Sequence, residues 1–450
     1  MNTHSVDIEL KIEQMVTEMY GECLASSGFC QRVIELPSIN LPTSLDVVRD
    51  GWYISSGEEE ILGLGIAKQW RFSDFLSMQS MDDYRQRLLQ DGLQASSIIA
   101  GGWAFGPPIA NDRLWEAFNF SQWMLPALFV RQTPHVTEAH MTMFVKRGQT
   151  VKSMLRYYQD LFESLRAVPQ WSELPQVVST RSYPSPSEWI NQVNDAVDVL
   201  KKGDLSKLVL ARRVDARFTI APKVSRVLDR LRLFNPSTTT FAVKSQGQTF
   251  LGATPECLLH VHDRQIRTMA LAGTVPRGKN STDDYEQRKF LLTSEKDRRE
   301  HATVVKRITR TLSPFAELNV PDSPQILSLP YVHHLWTPIE GYLRSETSVL
   351  SLAALLHPTP AVGGEPQKLA QDWLTKHEGL NRGWYAGGIG FMDLRGQGRL
   401  WVALRSALVR GHMAHCYAGC GIMPDSIPER ELAESDWKLQ AMLRALGVSN

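Results

Sequence analysis

Near the end of the chain, acidic, basic and small residues have the spacing of a binding site. Ala418-Gly-Cys-Gly421 is a run of small residues that lets backbone come close to a ligand and leaves its N–H groups open. Glu431, Glu434 and Lys438 follow at i, i+3 and i+7, so they share a face if the segment is helical. Ser426 and Glu429 have capping-box spacing and Pro428 suits a first turn, so the helix is expected to begin there. Two carboxylates one turn apart beside a glycine platform can hold a hard cation against an anionic ligand. Alone, they read more readily as a solvated helix face. Asp297 and Glu300, in Glu295-Lys-Asp-Arg-Arg-Glu-His301, present the same choice. Set opposite Glu431 and Glu434, they complete an all-oxygen site suited to Mg²⁺.

Two more residues carry proton-transfer chemistry. Lys207 opens an apolar run and alternates with Val209 and Ala211 on one face of an expected strand. It is either a strand-end lysine reaching solvent or, in a partly desolvated site, a base near neutral pH. Glu256, in Gly252-Ala-Thr-Pro-Glu256, is either a turn carboxylate in water or a proton donor made so by burial. A lysine base and a glutamic acid on opposite sides of a substrate are what an exchange of water for hydroxyl requires. Arg405, in the apolar run 401–408, is a candidate carboxylate clamp.

The elements that must position these residues alternate between short strands and a few long helices. Helices are expected over 5–27, 75–93, 151–166, 186–201, 223–234 and, as one long pattern, 283–312. Strands are expected over 51–56, 61–67, 97–105, 123–130, 139–146, 207–214, 239–244, 249–253, 257–262, 333–342, 386–393, 400–409 and 412–418. The mix is α+β with antiparallel-looking strands. The Pro-, Ser- and Thr-rich stretch 168–187 is the best boundary between an N-terminal half, 1–167, and a second region, 186–450, within one intertwined domain.

Composition removes several classes of function. The 450 residues are 43% apolar and 22% charged, ordinary for a soluble globular protein. A formal net charge of +1 gives no electrostatic case for nucleic acid or an anionic membrane. No apolar run is long enough to span a bilayer and no signal core opens the chain, so a cytoplasmic protein is expected. The five cysteines lack zinc-ligand spacing and fit a reduced compartment. The 12 tryptophans are read as core. Gly387-Gly-Ile-Gly390 and Gly63-Leu-Gly65 are not followed by a helix in a βαβ unit, which excludes a dinucleotide motif.

Taken together, the stretches 207–213, 252–256, 272–274, 296–301, 333–335, 382–387, 403–405, 418–422 and 428–438 resemble the chorismate-utilising enzymes and run in that family's order. The resemblance implies stacked, mainly antiparallel β-sheets flanked by helices, with the site in a cleft between them. It implies Mg²⁺ held by Glu300 and Glu434, with Glu431 and Asp297 close by through water, against the ring carboxylate of chorismate. Lys207 resembles the residue that activates water for attack at C2, and Glu256 the acid that protonates the departing C4 hydroxyl. Tyr385, Arg405, Gly419 and Lys438 match positions that hold the substrate carboxylates, and His334 matches one lining the same pocket. A lysine at 207 marks the water-using branch, with no glutaminase subunit expected. Ala361 stands where salicylate and anthranilate synthases typically have threonine, which is similar to the isochorismate synthases. The long N-terminal half resembles the menaquinone-type members, and a monomer is the family expectation. Salicylate synthase, a siderophore-pathway isochorismate synthase, an ammonia-using synthase subunit and a non-catalytic relative are the alternatives.

Overall fold

Runs of β-branched, aromatic and leucine residues recur from Phe29 to Ile422, and they pair into two large antiparallel sheets. The computed structural model describes residues 3–26, 28–74, 80–107, 109, 112–118, 120–168 and 175–448. Among these residues one sheet has 12 strands and the other 10. The first sheet runs from Phe29–Leu36 at one edge, through Gly51–Ser56 and Thr239–Ser245, to Met413–Ile422 and Lys207–Phe218, whose outer side is shared by Gly364–Glu365 and Val177–Tyr183. The second runs from Ala316–Asn319 through Gln265–Pro276 and Gly388–Asp393 to Ile98–Trp103 and Lys68–Phe72.

The N-terminal and C-terminal halves of the chain contribute strands to both sheets. Gly51–Ser56 pairs with Thr239–Ser245, and Ile98–Trp103 pairs with Gly388–Asp393. One contiguous apolar cluster joins the halves and includes Trp52, Trp103, Trp123, Phe250 and Trp384. Each of these large side chains is almost wholly buried, and losing one from such a core costs about 3–5 kcal/mol.

Several elements differ from the sequence expectation, each for a local reason. The expected strand 123–130 is two, Ser121–Leu125 in the second sheet and Leu128–Gln132 in the first. Pro126 between them has no N–H for a ladder. The expected strand 400–409 divides likewise into Gly398–Val402 and Ser406–Arg410, because Arg405 turns the chain with φ of 48°. The single helix expected over 283–312 is two, Ser281–Thr293 and Glu295–Leu312. Ser294 breaks it by taking an extended conformation and accepting a hydrogen bond from the Asp297 N–H. The expected boundary 168–187 contains a strand, Val177–Tyr183, paired with Lys207–Phe218; residues 169–174 of it lie outside the described residues. Of the helix expected over 75–93, Met81–Gln90 is present, while 75–79 lies outside the described residues. The strand Gln265–Pro276 and the helices Val349–Leu356 and Gln367–His377 are not expected from the sequence, although the first alternates buried and exposed residues and the last buries Ala370 and Leu374 one turn apart.

Candidate active site

The chain crosses from one sheet to the other at Thr254-Pro255-Glu256 and again at Ala403-Leu404-Arg405. The two crossings are bonded side by side: Val402 N donates to Glu256 O at 3.1 Å, and Ala253 N donates to Arg405 O at 3.1 Å. Pro255, Glu256, Leu404 and Arg405 of the two crossings face one space. That space is a cavity lined by Glu256, Glu300, His334, Ala361, Tyr385, Arg405, Gly419 and Lys438. Eight of the eleven site residues expected from sequence therefore meet around one cavity. Lys207, Glu431 and Glu434 are not among its lining residues; Lys207 is ion-paired with Glu300, Glu431 with Lys296 and Glu434 with Lys438.

Glu256 is 3% exposed. Burial pushes its carboxyl up to about 8, against the pull of Lys207 and Lys438, so at neutral pH it holds its proton. Lys207 is fully buried, with Nζ 2.9 Å from Glu300 Oε1. The approach is angled off the hydrogen-bond line, so the nitrogen forms an ion pair without an aligned hydrogen bond. Gly421 makes this contact sterically possible: a Cβ there would collide with Glu300 Oε1 and sit 3.0 Å from Lys207 Cε.

Arg405 is 7% exposed, and no carboxylate pairs with it among the described residues. Its Nη2 donates to His334 Nε2 at 2.9 Å, and burial lowers its pKa to about 10, which still leaves it charged. His334 Nδ1 is 2.9 Å from Thr274 Oγ1 and 3.4 Å from Gly273 O, so the ring donates there and accepts at Nε2. Burial, then Arg405 and Lys438, hold that imidazole well below its usual pKa and therefore neutral. A bulge in Gln265–Pro276, with Gly273 at φ of 80°, aims these oxygens at the ring. Thr274 is thus a functional residue that spacing alone missed. Tyr385 stacks on Tyr417 at 5.2 Å, and burial raises its hydroxyl to about 12. A Cβ at Gly419 would meet Leu210 O at 2.6 Å and Tyr385 Oη at 3.0 Å, so only glycine fits. Ala361 lines the cavity, whereas the hydroxyl of nearby Thr359 accepts from Ala361 N at 3.3 Å.

Two helices bring the acids together. Glu295–Leu312 buries Asp297, Glu300, His301, Val304 and Ile308, a stripe that is acidic in its first turns and apolar beyond. Pro428–Leu446 buries Glu431 and Ser435. It starts at Pro428 as expected, but the expected capping box is not formed. Ser426 Oγ accepts instead from Met423 N at 3.0 Å and tightens the preceding turn. Lys296 Nζ lies 2.6 Å from Glu431 Oε1, and Lys438 Nζ lies 2.6 Å from Glu434 Oε1 and 2.9 Å from Gly419 O. Lys296 stands four residues before Glu300, at the start of the stretch 296–301.

The donor set fits a hard cation. Cys420, Glu431 and Glu434 bring ligand atoms within 4.8 Å of one another. The Cys420 thiol is held well above its usual pKa by burial and donates to Glu431 O at 3.1 Å, which leaves carboxylate oxygens as the donors. Burial and the neighbouring Glu434 push Glu431 up to about 7, a repulsion that a divalent ion would relieve. Burial raises Glu300 too, but Lys207, Lys296 and Lys438 outweigh it and keep its carboxyl below the usual range.

A family model described as chorismate binding enzyme matches residues 31–447. The chain is 36% identical over 354 residues to the salicylate biosynthesis isochorismate synthase of Pseudomonas aeruginosa, covering 78% of this chain and 74% of that one. It is 33% identical over 366 residues to the isochorismate synthase MenF of Bacillus subtilis, covering 81% and 77%. The solved structure of MenF, the menaquinone-specific isochorismate synthase from Escherichia coli, superposes with a TM-score of 0.80 at 26% identity, over 97% of this chain and 100% of that one. A family match across nearly the whole chain, a shared two-sheet fold and a cavity at the sheet crossings lead to one assignment: the chain belongs to the chorismate-binding enzyme family.

Proposed function

We propose that this chain is a Mg²⁺-dependent isochorismate synthase, converting chorismate to isochorismate. The observation that carries the reading is the pairing of two unusual groups in one cavity. Arg405 is a buried cation with no carboxylate partner among the described residues, and Glu256 is a carboxyl that keeps its proton at neutral pH. The first suits a substrate carboxylate, and the second suits a leaving hydroxyl.

In the reaction Lys207, as the free amine rather than the ammonium paired with Glu300, takes a proton from water as the oxygen bonds to C2. The ring π electrons shift, the C4–O bond breaks, and Glu256 gives its proton to the departing oxygen. One water enters and one leaves, so the product is an isomer. Arg405, Lys438 and Tyr385 hold carboxylates, and His334, neutral and fixed by Thr274, orients the Arg405 guanidinium. Glu300, Glu431 and Glu434 are the proposed Mg²⁺ ligands, with Asp297 beside them. The ion, when bound, supplies positive charge against a substrate carboxylate. Ala361 leaves the ring wall without a hydroxyl, which favours stopping at isochorismate.

Product use is read as menaquinone synthesis, in the cytoplasm, by a monomer acting without a glutaminase subunit. The support is the N-terminal half, which is covered along its length by the menaquinone-specific structure. The Pseudomonas aeruginosa relative, named for salicylate biosynthesis, favours a second reading in which isochorismate goes on to salicylate. Among the described residues no helix is long and apolar enough to cross a membrane.

Incubation with chorismate and Mg²⁺, with separation of isochorismate, salicylate and pyruvate, tests the activity. Isochorismate without pyruvate is expected, and stoichiometric pyruvate would shift the assignment to salicylate synthase. Growth of a strain lacking its menaquinone-specific isochorismate synthase, restored by this chain, would support the menaquinone reading.

A further inference from the structure

One edge of the Lys207–Phe218 strand has a gap. Lys207 and Leu208 pair there with Gly364–Glu365, and residues 213–218 pair with Val177–Tyr183, but 209–212 meet no strand on that side. Two side chains fill the gap. Arg382 Nη2 donates to Val209 O at 2.6 Å, and Ala211 N donates to Glu378 Oε1 at 2.8 Å. The pair is also joined to itself, Nε to Oε2 at 2.7 Å and Nη2 to Oε1 at 2.5 Å, with side chains 3% and 5% exposed. Arg382 Nη1 donates to Val362 O at 2.9 Å, and the guanidinium lies 4.1 Å from the centre of the Phe105 ring.

A buried ion pair of this kind is often no more stable than apolar packing of equal volume, so stability is a weak reason for its presence. Its geometry is more telling. It ties together the strand two residues beyond Lys207, the loop one residue beyond Ala361, and the turn three residues before Tyr385. We propose that Glu378 and Arg382 are positioning residues for the exchange of water for hydroxyl, setting the distance between the Lys207 strand and the Ala361 loop across the substrate. This rests on the reading of Lys207 as base and Ala361 as the ring's neighbour. Arg382 and Tyr385 both line the cavity, but Arg405 and Lys438 are carried by other elements, so those two carboxylate contacts are separable from this positioning.

The test uses the full chain with Glu378→Gln and Arg382→Lys, which keep side-chain size and some of the hydrogen bonds. For each, kcat, chorismate affinity by tryptophan-fluorescence quenching, and thermal unfolding are measured. A displacement of about 1 Å costs on the order of 10²-fold in rate, so kcat is expected to fall roughly 10- to 100-fold. Affinity should stay within about threefold, because the Arg405 and Lys438 contacts are untouched, and unfolding should remain cooperative, because both replacements keep part of the buried hydrogen bonding. A kcat within twofold of the parent would overturn the proposal. So would loss of cooperative folding in both variants, which would make the pair a stability element. Failure of the parent to form isochorismate would instead sink the functional reading beneath it.

Discussion

Glu256 must keep its proton until a hydroxyl leaves, and burial between two sheet crossings lets it do so. With its pKa near 8, kcat/KM should fall as pH rises through about 8. Glu256→Gln should remove that limb and lower turnover by roughly 10²–10⁴-fold, the usual worth of a general acid. The same shift has a stability signature of known sign. Between 4.5 and about 8 the unfolded chain releases this proton while the folded chain keeps it, so the stabilising contribution is full below 4.5 and is lost as pH rises to about 8. Glu256→Gln does not titrate. Its melting temperature relative to the parent should therefore climb across that window, and a flat difference in thermal scans would contradict a protonated Glu256. At Ala361 a threonine places a hydroxyl at the ring wall, and some pyruvate release from Ala361→Thr, absent from the parent, is expected in a coupled assay.

The two acidic helices act as units, each delivering carboxylates from its first turns. For Glu295–Leu312 the delivery depends on Ser294, which ends one helix and caps the next. Ser294→Ala should cost about 1 kcal/mol in unfolding experiments, the usual worth of an N-cap. Metal binding can be read without turnover. Mg²⁺ at 100 times its Kd stabilises a folded protein by about 2.7 kcal/mol, so the ion should raise the parent's melting temperature. Glu300→Gln and Glu434→Gln should abolish both that rise and activity. An unchanged Mg²⁺ effect in both variants would remove these residues from the metal site.

Across the whole molecule, each large sheet is a composite of the two halves of the chain. Removing residues 1–167 would strip the partner strands from Thr239–Ser245 and Gly388–Asp393 and open the cluster around Trp103 and Trp384. Exposed sheet edges beside a bared apolar core favour association. The fragment 186–450 is therefore expected to be insoluble or to lack cooperative unfolding when expressed alone. A soluble fragment with a sharp thermal transition would show instead that the second half folds by itself.

Sequence alone determined what depends on local spacing. The carboxylate pairs Asp297/Glu300 and Glu431/Glu434, the small-residue run at 418–421, the strand opening at Lys207 and the α+β character all follow from period and residue type. Tertiary structure decided what depends on segments far apart in the chain. Apolar runs at 123–130 and 400–409 look continuous because both of their strands are buried, and only the choice of sheet shows that each is cut in two. Arg405 reads as a strand residue until its backbone turns left-handed at the crossing. Each acid's partner was equally hidden: Lys207 meets Glu300 from 93 positions away, and Glu378 reaches a strand N–H 167 residues earlier. Burial raises Glu256 and neutralises His334, and burial belongs to no residue by itself.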